Sequence, residues 1–429
     1  MSRLLRGVKL PHKKGTLEGI VTKMPPPKKV VLSTAMHIGK PSEIIVKVGD
    51  EVKVGTLIAN ISGPISAPLH SSVSGKVTRI FEQLLANGQS GECIEIESDG
   101  QMESEKGIAP IEPKSKSEFI EALKNSGIIG LGGAGFPTFV KYNIPDGTEI
   151  DELIINGAEC EPYITSDSAV MRDRAEDILY AIELILKFIP IKKVIIGIEA
   201  NKPEATKKMQ ELSAQNSKIS VQVLKTLYPQ GGEKVLVYHT TGKVIKEGAL
   251  PSSVGVIVSN VTTIAKIGEY FKTGMPLVRK VITVDGSAVA KPQNIDVAVG
   301  TPLSDVFDFC GGFAKEPKRV IYGGPMMGVS VPFLDRGVLK NTNAVLALTR
   351  EDVHPIQTTN CIRCGACTNH CPFGINPAEI ARAFEKEDKE ELLRIGTNLC
   401  MECGCCSYIC PANRPLVQTN RLAKKFLKI

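Results

Sequence analysis

The sequence predicts a multidomain α/β protein that ends in a helical, cysteine-rich domain, and three observations carry this. A chain of 429 residues exceeds what one hydrophobic core serves and at ordinary domain sizes divides into roughly three or four. Its texture changes along its length, from short strands and glycine turns, to alternating helix and strand from Lys114, to short strands again. Finally, eight of its twelve cysteines fall into two copies of one spacing between Cys361 and Cys410. With 42% hydrophobic and 23% charged residues the composition is that of an ordinary globular protein.

Residues 1–29 form a basic segment that closes on Pro25-Pro26-Pro27. Eight Lys/Arg stand against one Glu in residues 1–30, and five Lys/Arg against no acid in 411–429, within a whole-chain net charge of +6. The basic character therefore sits in the two tails and the body between them is acidic. Without aromatic interleaving this argues against nucleic acid. A tail that touches a membrane surface or an acidic partner, or one that is merely solvated, is expected instead. Met1 to Arg6 has no apolar core, so no signal peptide is expected. The most apolar tract, Ile178 to Ile198, is interrupted by Glu183, Lys187, Pro190, Lys192 and Lys193, so no membrane span is expected either.

Residues 30–105 read as short strands. Val46 to Gly55 alternates apolar and polar positions around glycine turns, and Ser66-Ala67-Pro68 and Val73 to Val77 continue the pattern. This resembles the barrel-sandwich fold of lipoyl and biotinyl domains. Ile61-Ser-Gly-Pro-Ile65 stands where those domains present a modifiable lysine, so the domain is expected to serve packing or docking.

Residues 114–275 alternate helix and strand: a helix at Glu118–Asn125, a glycine loop after Ile128-Ile129, a buried strand at Leu153–Asn156, a helix at Ala175–Phe188, a strand at Lys193–Gly197 and a helix opened by Pro203. That order predicts a mostly parallel sheet. The loop Gly130-Leu-Gly132-Gly133-Ala-Gly135 satisfies G-x-G-x-x-G, but Phe136-Pro137 interrupts the helix a dinucleotide loop would open, so by itself it reads equally as a tight turn. Residues 278–350 return to strands at Val281–Gly286, Asp296–Val299 and Arg319–Gly324, with a helix at Pro302–Cys310. The Gly323–Gly328 loop contains Met326 and Met327, which read as packing.

In residues 353–429, Cys361, Cys364, Cys367 and Cys371-Pro372 repeat as Cys400, Cys403, Cys406 and Cys410-Pro411. Each copy is C-x2-C-x2-C-x3-C-P, the run that holds a [4Fe-4S] cube, with its fourth cysteine ligating the other cluster. The expected sets are Cys361, Cys364, Cys367 with Cys410, and Cys400, Cys403, Cys406 with Cys371. Zinc is the alternative four-cysteine ligand, but it has no use for a third cysteine and C-P in each copy. Cys405 is left over as a spectator. Fe-S ligation requires free thiolates and hence a reducing compartment. Between the copies, Asn376 caps a helix with Pro377 at its first position, and Glu390–Ile395 forms a second helix stopped by Gly396. The whole resembles the α-helical dicluster ferredoxin module of larger redox enzymes.

Three stretches also match one known site. Gly130 to Thr138 with Lys141 resembles the flavin and nicotinamide loop of the NADH-oxidising subunit of respiratory complex I. Asn156-Gly-Ala-Glu159-Cys-Glu161-Pro162 is similar to that subunit's next motif, and Tyr228-Pro-Gln-Gly231-Gly232-Glu233 with Ser259-Asn260-Val261 to its remaining flavin-contacting segments. Leu131, Ala158 and Phe139 depart from it, where arginine, aspartate and glycine are usual. Residues 278–350 are similar to the β-grasp (SLBB) domain joining flavin and Fe-S modules there. The order of domains resembles the C subunits of Rnf complexes, membrane-bound ferredoxin:NAD+ oxidoreductases that translocate Na+ or H+. The resemblance implies a Rossmann-like domain with FMN and NAD(H) at Gly130, Gly132, Gly133, Gly135, Phe136, Lys141, Asn156, Gly231, Gly232 and Asn260. Lys141 would meet a phosphate, Phe136 a ring, and Glu159, Glu161 and Glu233 would orient nicotinamide or flavin. It further implies docking, as a peripheral subunit on the cytoplasmic side of the inner membrane, to a ferredoxin-facing Fe-S subunit and membrane subunits. The alternatives are a microcompartment corrinoid (cobalamin) reductase and an electron-transfer scaffold that binds no nicotinamide.

Overall fold

The alternating strands of the second segment close on one another, and the residues that alternate inward form their core. In the computed structural model, which describes residues 6–86, 88–145, 147–353 and 357–428, the chain enters through β1 (Thr22–Lys23) and then forms β2 (Lys29–Ser33), β3 (Glu43–Ile44), β4 (Glu51–Val52), β5 (Leu57–Asn60), β6 (Leu69–His70), β7 (Gly75–Leu84) and β8 (Ser90–Ser98). The sheets β2-β8-β7-β4 and β3-β5-β6 enclose Val30, Leu32, Ile58, Val77, Ile94 and Ile96. Of the long alternation from Val46 to Gly55, only Glu51-Val52 is strand. The rest is turn.

The α/β domain consists of α1 (Lys116–Asn125), α2 (Thr138–Tyr142), β9 (Glu152–Gly157), α3 (Ser166–Asp173), α4 (Ala175–Phe188), β10 (Lys193–Glu199), α5 (Pro203–Ser213), β11 (Ile219–Leu224), α6 (Glu233–Thr241), β12 (Val256–Asn260) and α7 (Val261–Thr273). All four strands are parallel, in the order β11-β10-β9-β12. The run Leu153-Ile154-Ile155 explains why. Leu153 and Ile155 enter the core that includes Ile178 and Ile264, whereas Ile154 points to the other face with Leu236 and Val237. A strand covered on both faces is apolar throughout. β11, β12, α6 and α7 were not expected from the sequence as elements, because their apolar runs are short and broken by polar residues.

The next domain contains β13 (Arg279–Asp285), β14 (Gln293–Ala298), α8 (Leu303–Phe309), β15 (Arg319–Tyr322), β16 (Val329–Val331) and β17 (Ala344–Leu348). Its sheet runs β1-β14-β13-β17-β15-β16, so the N-terminal segment supplies an edge strand, with Thr22 opposite Ile295 in parallel register. The last domain is helical: α9 (Ala366–Asn369), α10 (Pro377–Glu385), α11 (Lys389–Arg394), α12 (Cys405–Tyr408) and α13 (Leu416–Phe426). Asn376 caps α10 by accepting from the Ala378 and Glu379 amides.

Neither tail is simply a solvated arm. Residues 1–5, 354–356 and Ile429 lie outside the described residues, but the rest of each tail is built into the fold. Val8 bonds Tyr228 in both directions, Lys13 donates to Tyr163 and Asp352, and Thr16 pairs with Thr165. At the other end α13 packs on α10, with Ala423 fully buried and Phe426 edge-on to Phe384 at 6.0 Å. Arg421 and Lys424 pair with Glu402. Part of the basic charge of each tail is therefore paired within the fold.

Candidate functional site

In a parallel sheet ordered 3-2-1-4, ligands bind outside the carboxyl ends of the strands where the order reverses. Here that crevice lies between β9, which ends at Asn156-Gly157, and β12, which ends at Asn260. The glycine loop reaches it from an unexpected direction. It precedes β9 instead of leaving it, and is pinned at its base by the Gly130 amide on the Phe136 carbonyl at 2.7 Å. Pro137 then takes the cap position of the short α2. The Leu131 amide donates to Thr263 Oγ1 at 2.9 Å, and a Cβ on Gly132 would lie 3.0 Å from Asn260. Gly132, Gly133 and Ala134 form an exposed apex. Gly133 adopts φ +119° with open space beside it, a backbone conformation natural only to glycine. The sandwich and β-grasp domains brace this loop through Ile38 N–H on the Gly135 carbonyl and Asn341 on the Gly133 carbonyl.

Polar residues from four segments converge here. Lys141 Nζ donates to the Val258 carbonyl at 2.6 Å and lies 3.9 Å from Glu233. Burial lowers its pKa, and Glu233 opposes that shift. Asn156 donates to the Gly231 carbonyl at 2.8 Å, which fixes the turn that opens α6. Asn260 caps α7 and donates to Asp167 at 2.7 Å. Phe136 is half-buried beside the apex.

Glu159 and Glu161 are each held by backbone amides. The Glu159 carboxylate accepts from the Asp167 and Ser168 amides at 2.6 and 3.3 Å, at the start of α3, and burial raises its pKa against the pull of Lys14. Glu161 accepts from the Met326 and Met327 amides at 3.0 and 2.8 Å, and burial pushes its carboxyl up to about 7. Of the three glutamates, Glu233 alone is largely exposed. The sequence reading missed two lysines beneath this loop. Lys14 donates to the carbonyls of Glu159, Glu161 and Ile164, and Lys202 to that of Ala158. Both neutralise carbonyls turned inward by a loop in which Glu159 and Tyr163 have positive φ. No sequence signal marks Lys14, which lies far from the loop in a segment that reads as tail.

The Met326 loop continues toward the cysteines. A Cβ on Gly404 would lie 3.0 Å from the Met326 carbonyl, Tyr228 Oη donates to the Cys403 carbonyl at 2.7 Å, and Gly232 abuts the Met401 side chain, whose terminal methyl would have to move for any Cβ there. Cys400, Cys403 and Cys406 line one cavity with Cys371 of the other motif. Four sulfurs contributed three and one by the two motifs are the donor set a cube takes, so these residues fit the group. Cys405 also lines the cavity, but its thiol faces the Tyr228 carbonyl. Cys361 and Cys364 are exposed, and Cys367 and Cys410 both pack against the Leu416-Val417 cluster. The second motif is thus the inner one, against the α/β domain, and the first faces solvent.

Comparison with known proteins agrees with this architecture. Residues 2–101 match the RnfC barrel sandwich hybrid domain, 123–269 the Nuo51 FMN-binding domain, 281–330 the SLBB domain and 355–411 the 4Fe-4S dicluster domain. Fold and matches define the class, an electron-transfer protein that joins an FMN-binding domain to a 4Fe-4S dicluster domain. Over 402 residues, 93% of this chain and 91% of the relative, it is 41% identical to the C subunit of the Na+-translocating ferredoxin:NAD+ oxidoreductase complex of Acetobacterium woodii. It is 39% identical to the C subunit of the proton-translocating complex of Clostridium ljungdahlii, over 88% of this chain and 83% of that one. It is 40% identical to the C subunit of the ion-translocating oxidoreductase complex of Rhodobacter capsulatus, over 96% and 80%. The chain belongs to the family of Rnf complex C subunits. An NAD+-reducing [NiFe]-hydrogenase shares the fold, with a TM-score of 0.50 at 17% identity over 74% of this chain. The chain spans 61% of that hydrogenase chain. Among the described residues no helix is long and apolar enough to cross a membrane.

Proposed function

We propose that this chain is the NAD(H)-binding subunit of an ion-translocating ferredoxin:NAD+ oxidoreductase. In this role it passes electrons between two [4Fe-4S] clusters, FMN and NAD(H), and docks peripherally with the Fe-S and membrane subunits at the cytoplasmic face of the inner membrane. One observation carries the reading: the inner cysteine motif packs on the α/β domain at Gly232, through Met401, and on the Met326 loop that Glu161 holds, through Gly404. When bound, FMN mediates between a hydride and single electrons. The protein's part is positioning. Gly130 and Gly135 close the base of the loop, and Gly132 and Gly133 let the apex N–H groups approach phosphate oxygens; Lys141 supplies a charge there, and Phe136 offers a ring face. Asn156 and Asn260 fix the α6 and α7 entrances that border the crevice. Glu233 faces the ligand, while Glu159 and Glu161 hold the crevice wall from behind. Cys400, Cys403, Cys406 and Cys371 hold the inner cluster. Cys361, Cys364, Cys367 and Cys410 hold the outer one, whose exposed motif suits exchange with a partner Fe-S protein.

The test is the anaerobically isolated chain. It should contain about eight iron atoms and eight sulfides, bind FMN, and reduce ferricyanide with NADH. Zinc in place of iron would refute the cluster reading. Absence of NADH oxidation in protein loaded with iron and flavin would leave only a scaffold.

A further inference from the structure

Asn420 lies on α13, where it is 1% exposed and lines the cavity of the inner motif. Its Nδ2 lies 3.5 Å from Cys400 Sγ, and the same sulfur accepts from the Glu402 amide at 3.4 Å. A thiolate can only accept, so the amide orientation is fixed by chemistry: nitrogen toward sulfur. Its other end is costly, because Oδ1 is buried with no hydrogen-bond partner. A residue present only for packing would be better as leucine, which fills nearly the same volume and buries no polar atom. The orphaned oxygen is thus the cost of placing an N–H against this sulfur.

We infer that Asn420 is a positioning residue that raises the reduction potential of the inner cluster through its N–H to Cys400 Sγ. This rests on the reading that Cys371, Cys400, Cys403 and Cys406 hold a cube. A hydrogen bond to a ligand sulfur favours the more negative, reduced cluster, so its removal lowers the potential. Only the inner cluster should respond, because Asn420 makes no hydrogen bond to the sulfurs of Cys361, Cys364, Cys367 or Cys410.

The experiment is a redox titration followed by electron paramagnetic resonance on the full chain, comparing the parent with Asn420→Leu and Asn420→Asp. In both variants one of the two cluster signals should move to lower potential, further in Asn420→Asp because it adds an acceptor charge, while the second signal and the iron and flavin contents stay at parental values. Unchanged potentials with full iron would overturn the inference, as would a shift of both clusters alike. Loss of iron from both variants would make Asn420 purely structural and also overturn it. A parent chain with far fewer than about eight iron atoms would instead refute the two-cluster reading.

Discussion

Gly133 and Glu161 carry the sharpest residue-level expectations. A side chain at Gly133 meets no neighbour within 4 Å, so Gly133→Val acts through backbone strain at φ +119° and through occupying the space before the amides. FMN should be lost while iron content stays at its parental value, as measured by flavin and iron per chain. At Glu161 the folded pKa of about 7 lies above the ordinary 4.5. Its contribution to stability is therefore complete below pH ~4.5 and is lost as pH rises through ~7. Glu161→Gln should remove that slope from a plot of urea midpoint against pH. At alkaline pH it should still cost about 1–3 kcal/mol, because one of the two amide donors then faces an NH2 group.

At the scale of elements, α13 is a supporting wall of the cluster domain. Deleting residues 421–429 would remove buried Ala423 and the Phe426 ring, and would leave Glu402 without Arg421 and Lys424. The truncated chain should keep FMN and lose iron, a ratio metal and flavin analysis reads directly. Docking by the tail is better tested with Lys425→Glu and Lys428→Glu, which are exposed. Salt should strip the parent from membranes more readily if these charges carry attachment, since exposed charges are screened beyond about 10 Å at 0.1 M. The paired cysteine spacings, the Asn376 cap and the β9 and α4 elements were legible because local chemistry sets them. Strand β11, with its mixed Ser220-Val221-Gln222-Val223 pattern, was not, because its position depends on pairing with β10. The glycine loop was legible as a motif but not in its seating against Asn260 and Thr263 at the start of α7, which topology determines.

Across the molecule, the proposed path between flavin and clusters crosses the contact between the Gly232 turn and Met401. Gly232→Val should displace the Met401 side chain that spans this contact while leaving both sets of cysteines intact. In rapid mixing, NADH should then bleach the flavin at the parental rate while the clusters reduce more slowly. Equal cluster reduction would place the electron path elsewhere. Tyr228→Phe, which removes only the hydroxyl on the Cys403 carbonyl, should cost about 1 kcal/mol and slow the same step less. No contact across this junction was legible in the sequence, since each joins residues far apart along the chain. The roles of Glu159 and Glu161 as holders of the wall depend on such contacts too.

The N-terminal strap has a consequence for how the chain is made. Its residues are made well before their partners: Asn294 donates to the Thr16 carbonyl across 278 positions and Asp352 accepts from Lys13 across 339. The strap cannot settle until β14 has been synthesised, and a loop of that length closes at an entropic cost that local contacts do not repay. The strap therefore locks only after those partners are made, and Lys14 settles on the carbonyls beneath the crevice as part of the same late step. An amino-terminal fusion that holds the strap away from β14 should give a chain with every domain formed but the Ala158–Ile164 loop open to amide exchange.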